Sequence, residues 1–368
     1  MAKNQENKIA GFMSKYLAAA QQKFGKDIYV GPEHKESHYG IKIPNLALQY
    51  LLTSTVIPMG RIICFSGAPK SGKSTLGYEF LRMVMEHPGL GTLIETEFKT
   101  SNPLLESILN EQYTNLIYNQ AKSLDEAQDM ITFGLDYYTK EGSSDIPMGM
   151  LLDSVSGTKS EELQDKINAV GHAEKAFPKE ALMNTYYFAT LSEKLMNKPI
   201  MFIFINHEKE EIDGHMGIPG TRNPGGDALE FHSTYHIRVQ RIGSIESKQE
   251  GNGNILKLKT KKNSMGEDNR SIVLEYRWLT YEEDGQTKQK TMFDWNKATA
   301  ELLAGTEIPR QSVSEVLTVV KKNRNEFSCK ELDFKNGPPS ELGALINANE
   351  QIMSALRPKL GIFKWKEL

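Results

Sequence analysis

Residues 67–74 read Gly67-Ala68-Pro69-Lys70-Ser71-Gly72-Lys73-Ser74, an unbroken G-x-x-x-x-G-K-[ST]. These residue types at this spacing suit the binding of a nucleoside triphosphate. Glycines let backbone N–H groups close around phosphate oxygens, and the N-terminus of a following helix adds a positive dipole end. Lys73 reaches the β- and γ-phosphates, and the Ser74 hydroxyl is a ligand for Mg²⁺. The expected phosphate cradle therefore runs from Gly67 through Thr75.

Three other segments end in polar groups where an apolar strand stops. Met148-Gly149-Met150-Leu151-Leu152-Asp153 is a buried strand ending in a carboxylate, the Walker B arrangement for holding Mg²⁺. Leu93-Ile94-Glu95-Thr96-Glu97 reads as a strand ending in two acids of opposite facing, only one of which strand alternation points into the site. A carboxylate there orients and deprotonates an attacking water; a solvated acid beyond the strand end fits the pattern equally well. Met201–Ile205 runs into Asn206-His207, whose side chains stand where a γ-phosphate is sensed or where a loop simply begins.

These groups need a scaffold that brings strand ends together. Ile62-Ile63-Cys64-Phe65 precedes the phosphate motif as a strand, and Leu76, Phe80, Met83 and Val84 follow it at helical spacing until Pro88-Gly89. Strands near 61–66, 92–97, 148–153 and 200–206 alternate with helices near 73–87, 125–138 and 180–197. Such alternation predicts an α/β fold, a P-loop NTPase core on a mainly parallel sheet. Segments 235–242, 254–260 and 271–278 lack intervening helices and should pair antiparallel at one edge. Before the core, Ile9, Phe12, Met13, Tyr16, Leu17 and Ala20 form an apolar stripe on a helix, followed by strand-like Ile28-Tyr29-Val30 and a polar linker, Gly31 to Ser37. A lone helix of this length must dock its stripe somewhere. From about residue 307 a small, helix-rich segment ends in Phe363-Lys364-Trp365-Lys366. The expected division is an oligomerisation arm (1–36), an ATPase core (37–300) and a small C-terminal domain (301–368).

The totals narrow the classes. Over 368 residues, 44 basic against 47 acidic side chains give −3, so nucleic acid would have to be met by local patches. Two distant cysteines, Cys64 and Cys329, exclude a disulfide framework or a cysteine zinc site and suit a reducing compartment. No stretch is apolar for long enough to span a membrane, and the N-terminus lacks the pattern of a secretion signal. The expectation is a soluble, cytoplasmic protein with no membrane partner.

Taken together, the segments from about residue 20 to 280 resemble the RecA family of ATP-dependent DNA recombinases, including its phage UvsX branch. Gln22-Lys23-Phe24-Gly25-Lys26 is similar to the family's Q-F-G-K, and Pro58-Met59-Gly60-Arg61-Ile62 to its P-x-G-R-I. Ile94-Glu95-Thr96-Glu97 resembles I-D-A-E, which implies that Glu97 is the catalytic glutamate. Asp153-Ser154-Val155 matches D-S-V. Phe204-Ile205-Asn206-His207 matches F-I-N-Q, with His207 at the glutamine position. Gly225-Gly226-Asp227-Ala228-Leu229-Glu230-Phe231 resembles G-G-x-A-L-K-F, with Arg241-Ile242-Gly243 at the expected spacing.

The resemblance implies ATP and Mg²⁺ as cofactors and a helical homo-oligomer on single-stranded DNA that pairs it with homologous duplex. It implies γ-phosphate sensing by His207 and a reach across the subunit interface by Lys262. It also implies two DNA-contacting loops, near Ser156–Lys179 and Glu208–Arg222, with Lys209, His215, Arg222, Gly225 and Gly226 as candidate DNA contacts. Four departures stand out. The second loop sets Glu208, Glu210, Glu211 and Asp213 against Lys209 and Arg222. Glu230 replaces a lysine. Ser264 stands where a second interface lysine is expected, with Lys261 and Arg270 as nearby cations. Leu105 stands where an adenine-stacking tyrosine is expected. The alternatives are a DNA-binding filament or regulator without strand exchange, and a ring-forming helicase built on the same core.

Overall fold

Ile62–Phe65, Met148–Leu152 and Ile200–Ile205 are near-continuous apolar runs, the mark of strands covered on both faces. In the computed structural model of the protein they are central strands of a nine-stranded sheet. The structure describes residues 2–24, 39–141, 145–155, 177–212, 219–222, 228–247, 251–283, 285–305, 308 and 313–367.

In chain order the strands are β1 (Arg61–Gly67), β2 (Leu90–Glu95), β3 (Leu116–Gln120), β4 (Met148–Asp153), β5 (Ile200–His207), β6 (Tyr235–Ile245), β7 (Asn252–Asn263), β8 (Ser271–Glu283) and β9 (Gln286–Phe293). Their spatial order is β9-β8-β7-β6-β1-β5-β4-β2-β3. From β6 to β3 every pairing is parallel, and β6 through β9 pair antiparallel. The mainly parallel sheet with an antiparallel edge is the expected α/β architecture. The edge has one more strand than the sequence pattern indicates, because β9 is short of apolar residues. Its partner is β8, with Tyr276 opposite Phe293.

Strand alternation sorts the apolar residues to two faces. Ile63, Phe65, Leu151 and Ile203 pack with Leu76 and Phe80 of α1 (Lys73–Glu86) and Ile108 of α2 (Asn102–Leu109). Ile62, Cys64, Leu152 and Phe204 pack on the other face with Ile131 and Leu135 of α3 (Leu124–Lys140) and Phe188 and Leu191 of α4 (Phe177–Leu195). Ser123 caps α3 by accepting from the Glu126 N–H.

The chain divides into two compact units, Met1–His38 and Tyr39–Leu368. The first contains the helix Ala2–Phe24, longer than the stripe alone suggested. On it the rings of Phe12 and Tyr16 stack at 6.2 Å with 70% and 65% of their surfaces exposed. The expected strand 28–30 and linker 31–37 lie outside the described residues. In the second unit, helices Pro339–Ala348 and Glu350–Lys359 accompany a small antiparallel sheet, Val319–Lys321, Phe327–Cys329 and Phe334–Gly337. The aromatic tail is stitched back onto the beginning of this unit. The Thr55 N–H donates to the Phe363 carbonyl at 3.0 Å, and Lys366–Glu367 pairs in parallel with Tyr39–Gly40. Among the described residues no helix is long and apolar enough to cross a membrane.

Candidate active site

Parallel pairing gathers the C-terminal ends of β1, β5, β4 and β2 on one edge of the sheet, with β1 and β5 running about two residues beyond β4 and β2. Gly67 lies opposite His207, and Glu95 opposite Asp153. β1 sits between β5 and β6, neither of them its chain neighbour, so its C-terminal end opens a crevice where open α/β sheets take ligands.

The loop between β1 and α1 depends on its two glycines. Gly67 has φ 152°, and a Cβ there would stand 2.2 Å from the Val239 carbonyl oxygen on β6. Gly72 has φ 94° and forms the N-cap of α1 without any side-chain cap. The first N–H groups of the helix are thus left facing the loop. Lys73 is buried, and its Nζ donates to the carbonyls of Gly67 at 3.0 Å and Ala68 at 2.7 Å. Burial pulls this ammonium down to about 8 despite the opposing charges of Asp153 and Glu97.

Asp153 is buried at the end of β4. Its carboxylate is hydrogen-bonded by the Ser74 side chain and accepts from Tyr78 Oη at 3.2 Å. Burial pushes the carboxyl up to about 6, with Glu97 and Glu95 adding to the effect. Ser74 and Asp153 are oxygen donors set side by side, the type of protein contribution Mg²⁺ accepts when phosphates and waters fill its other positions.

Glu95 and Glu97 differ because β2 stops at Glu95, not because of strand alternation, since residues two apart on a strand share a face. Beyond it the chain bends through Phe98, at φ 54°. Glu95 is 1% exposed, and its Oε1 accepts from the backbone N–H groups of Lys99 and Thr100 (2.8 Å for the latter). Its Oε2 accepts from Tyr118 Oη at 2.6 Å. That carboxylate is spent on shaping the turn. Glu97 instead meets Ser154 Oγ at 2.8 Å, His207 Nε2 at 2.9 Å and Lys99 Nζ at 2.6 Å. Burial alone would raise its carboxyl, but the hydrogen bonds of Lys99 and Ser154 and the nearby His207 outweigh it and hold it below the usual range. Burial, then the charge of Lys73, holds His207 below the ordinary imidazole range. A neutral ring next to a carboxylate donates, so Nε2 carries the proton. Thr96 locks the two strand ends together: its N–H donates to the Asp153 carbonyl at 2.8 Å and its Oγ1 accepts from the Ser154 N–H at 3.0 Å.

The structure thus brings Lys73, Ser74, Asp153, Glu97 and His207 to one place. Others stand apart from it. Lys262 Nζ donates to the carbonyls of Glu230 at 3.1 Å and Phe231 at 2.6 Å, at the end of the short helix Ala228–His232. Arg270 is buried, stacks on Tyr50 at 4.6 Å and donates to the Tyr50 carbonyl, which removes it from the nearby cations of the Lys262 region. Leu105 belongs to the core. The second loop forms a hairpin in which Lys209–Ile212 pairs antiparallel with Pro219–Arg222, Lys209 opposite Arg222. His215, Gly225 and Gly226 lie outside the described residues, as do residues 156–176 of the first loop. Glu208 is not one of that loop's free acids: its carboxylate pairs with Arg238 Nη2 at 2.7 Å.

Tyr78, Ser154 and Lys99 were not singled out from sequence. Tyr78 had a readable signal, since it follows Ser74 by one helical turn and so shares its face.

Comparison with known proteins agrees with this geometry. The family described as the RecA N-terminal domain matches residues 12–280. Protein RecA of Mycoplasma mobile is 26% identical over 256 residues, 68% of this chain and 72% of that protein. Protein RecA of Rubrobacter xylanophilus is 25% identical over 262 residues, covering 70% and 72%. Protein RecA of Colwellia psychrerythraea is 25% identical over 256 residues, covering 69% and 70%.

The two acids should separate cleanly in stability. Glu95→Ala removes a buried carboxylate that accepts from two part-buried backbone N–H groups and a tyrosine hydroxyl, and should cost about 2 kcal/mol in urea denaturation. Glu97→Ala should stay within about 1 kcal/mol of the unmodified chain, because its strongest partner, Lys99, is mostly in water. Equal losses would contradict the division of labour.

Proposed function

The chain belongs to the RecA family, and from that premise we propose that it is an ATP-dependent DNA recombinase. It forms a filament on single-stranded DNA, pairs it with homologous duplex and exchanges strands, in the manner of a phage-type member. The observation that carries this reading is the convergence of Lys73, Ser74, Asp153, Glu97 and His207 at the C-terminal edge of the parallel strands.

In this reading Lys73 leaves the carbonyls of Gly67 and Ala68 for the β- and γ-phosphates, which restore the charge partner its burial denies it. Ala68, Pro69, Lys70 and Ser71 shape the loop whose amides face the phosphates, and Thr75 continues the helix start. Ser74 and Asp153 would hold Mg²⁺, which when bound would offset the charge of the phosphates. Glu97, kept ionised, orients the attacking water and takes its proton. His207 bridges Glu97 and the γ-phosphate and so reports its presence to the hairpin that follows. Lys262 reaches a neighbouring subunit's nucleotide after releasing the carbonyls it now caps. Lys209, Arg222 and the segment holding His215, Gly225 and Gly226 meet DNA. The apolar stripe of residues 9–20 docks on a neighbouring copy, so that 1–36 acts as an arm on the 37–300 core, with 301–368 as an appended C-terminal part.

The deciding experiment is ATP turnover with and without single-stranded DNA, coupled to a strand-invasion assay. The expected result is DNA-stimulated hydrolysis and joint-molecule formation. Lys73→Ala should abolish turnover, and Glu97→Gln should bind ATP yet hydrolyse it roughly 10²-fold more slowly. DNA binding without strand invasion would favour a filament-forming regulator instead.

Asp153 gives this reading a pH signature. Only the carboxylate ligates Mg²⁺, and burial sets its ionisation near 6. Mg²⁺-dependent nucleotide binding should therefore be full above about pH 7 and fall away as pH drops through 6. Titration of a fluorescent nucleotide at pH 7.5 and 5.5 reads this directly; equal Mg²⁺ affinities would remove Asp153 from the role.

Removing residues 1–30 should leave a folded, nucleotide-binding core that no longer makes long assemblies. Filaments of this truncation in electron micrographs with ATP and DNA would sink the docking role of the stripe.

A further inference from the structure

Glu208 stands one residue beyond β5, at the root of the hairpin that runs from 209 to 222. By composition it is one more acid in a loop that should meet phosphate. Its carboxylate is instead only 8% exposed and turned into the sheet. Oε1 accepts from Ser66 Oγ at 3.1 Å, while Oε2 accepts from Arg238 Nε at 2.9 Å and Nη2 at 2.7 Å. Ser66, having given its proton to Glu208, accepts from His236 Nε2 at 2.7 Å. A buried carboxylate costs several kcal/mol to desolvate, so one placed here is fully paired or not tolerated. The pairing ties three strands together: β1 through Ser66, β6 through His236 and Arg238, and the chain leaving β5.

Two further contacts connect this clamp to the phosphate loop. The Glu208 N–H donates to the Gly67 carbonyl at 3.0 Å, and Lys73 Nζ donates to the same oxygen at 3.0 Å. In extended chain, consecutive side chains point to opposite sides. His207 therefore faces Glu97, at 2.9 Å, while Glu208 faces Ser66 and Arg238. Pinning one side chain sets the backbone that aims the other.

We propose that Glu208, gripped by Arg238 and Ser66, is a positioning residue that holds His207 on Glu97. This rests on the reading that Glu97 and His207 act at the γ-phosphate, and adds the part that keeps them in register. A purely structural ion pair would hold the fold together without affecting the state of the His207 ring.

The test uses the full-length chain with Glu208→Gln, which keeps an acceptor for Ser66 but loses the charge opposite Arg238, together with Arg238→Gln, the double variant and Arg238→Lys. The first measurement is the ¹⁵N-imidazole spectrum of His207 in the nucleotide-free protein, assigned with His207→Gln. The unmodified chain should show a single Nε2–H tautomer. Glu208→Gln and Arg238→Gln should shift it towards a tautomer mixture, and Arg238→Lys should recover part of the change. The second is steady-state kinetics: kcat should fall roughly tenfold to hundredfold, as for a misplaced catalytic group, with KM for ATP within about twofold. The double variant should be no slower than the worse single one. An unmoved His207 spectrum in folded variants, or additive losses carried by KM, overturns the clamp. Absence of turnover in the unmodified chain counts against the functional reading, whereas the imidazole spectrum judges the clamp by itself.

Discussion

The constraint on which the rest depends is the register of four parallel strands. Because β1, β5, β4 and β2 run the same way and end on one edge of the sheet, polar residues at or just past their tips come together in one site. Thr96 enforces the alignment of β2 with β4 where Glu95, Glu97 and Asp153 lie close together, bonding the Asp153 and Ser154 backbone. The carboxylates survive this crowding by different means. Glu95 is held by hydrogen bonds from backbone amides and a phenol, Glu97 by Lys99 and Ser154, and Asp153 by hydrogen bonds from Ser74 and Tyr78.

Much of this was legible from residue order. Strands covered on both faces have to be apolar throughout, so Ile62–Phe65, Met148–Leu152 and Ile200–Ile205 declared themselves, and their polar successors marked the crevice. The glycine spacing declared the loop. What could not be read was where β2 ends. Period-two reasoning gives Glu95 and Glu97 the same face; only the bend at Thr96–Phe98 gives them different neighbours. β9 also escaped notice, because an edge strand exposed to water carries no apolar signature.

Charge counting failed for a related reason. A formal charge in a loop says nothing about whether its partner is thirty residues away on a neighbouring strand, as Arg238 is for Glu208. Once that pair is set aside, the second loop keeps Glu210, Glu211 and Asp213 against Lys209 and Arg222, a smaller imbalance than the sequence suggested. Likewise Arg270, a spare cation by sequence, is a core residue on Tyr50. Long-range pairing is where composition stops being informative.

The return of the tail to the start of the larger unit has a mechanical side. Tyr39–Gly40 and Lys366–Glu367 run parallel, so the arm leaves one end of this strand pair and the C-terminus leaves the other. A pull applied between them loads the interstrand hydrogen bonds side by side, in shear, and not one after another as in a zipper. The bonds of Phe363 to Thr53 and Thr55, and of Trp365 to Thr55, share that load. A pull between Tyr39 and Glu367 would thus be resisted by this short seam before it reached the phosphate-bearing strands.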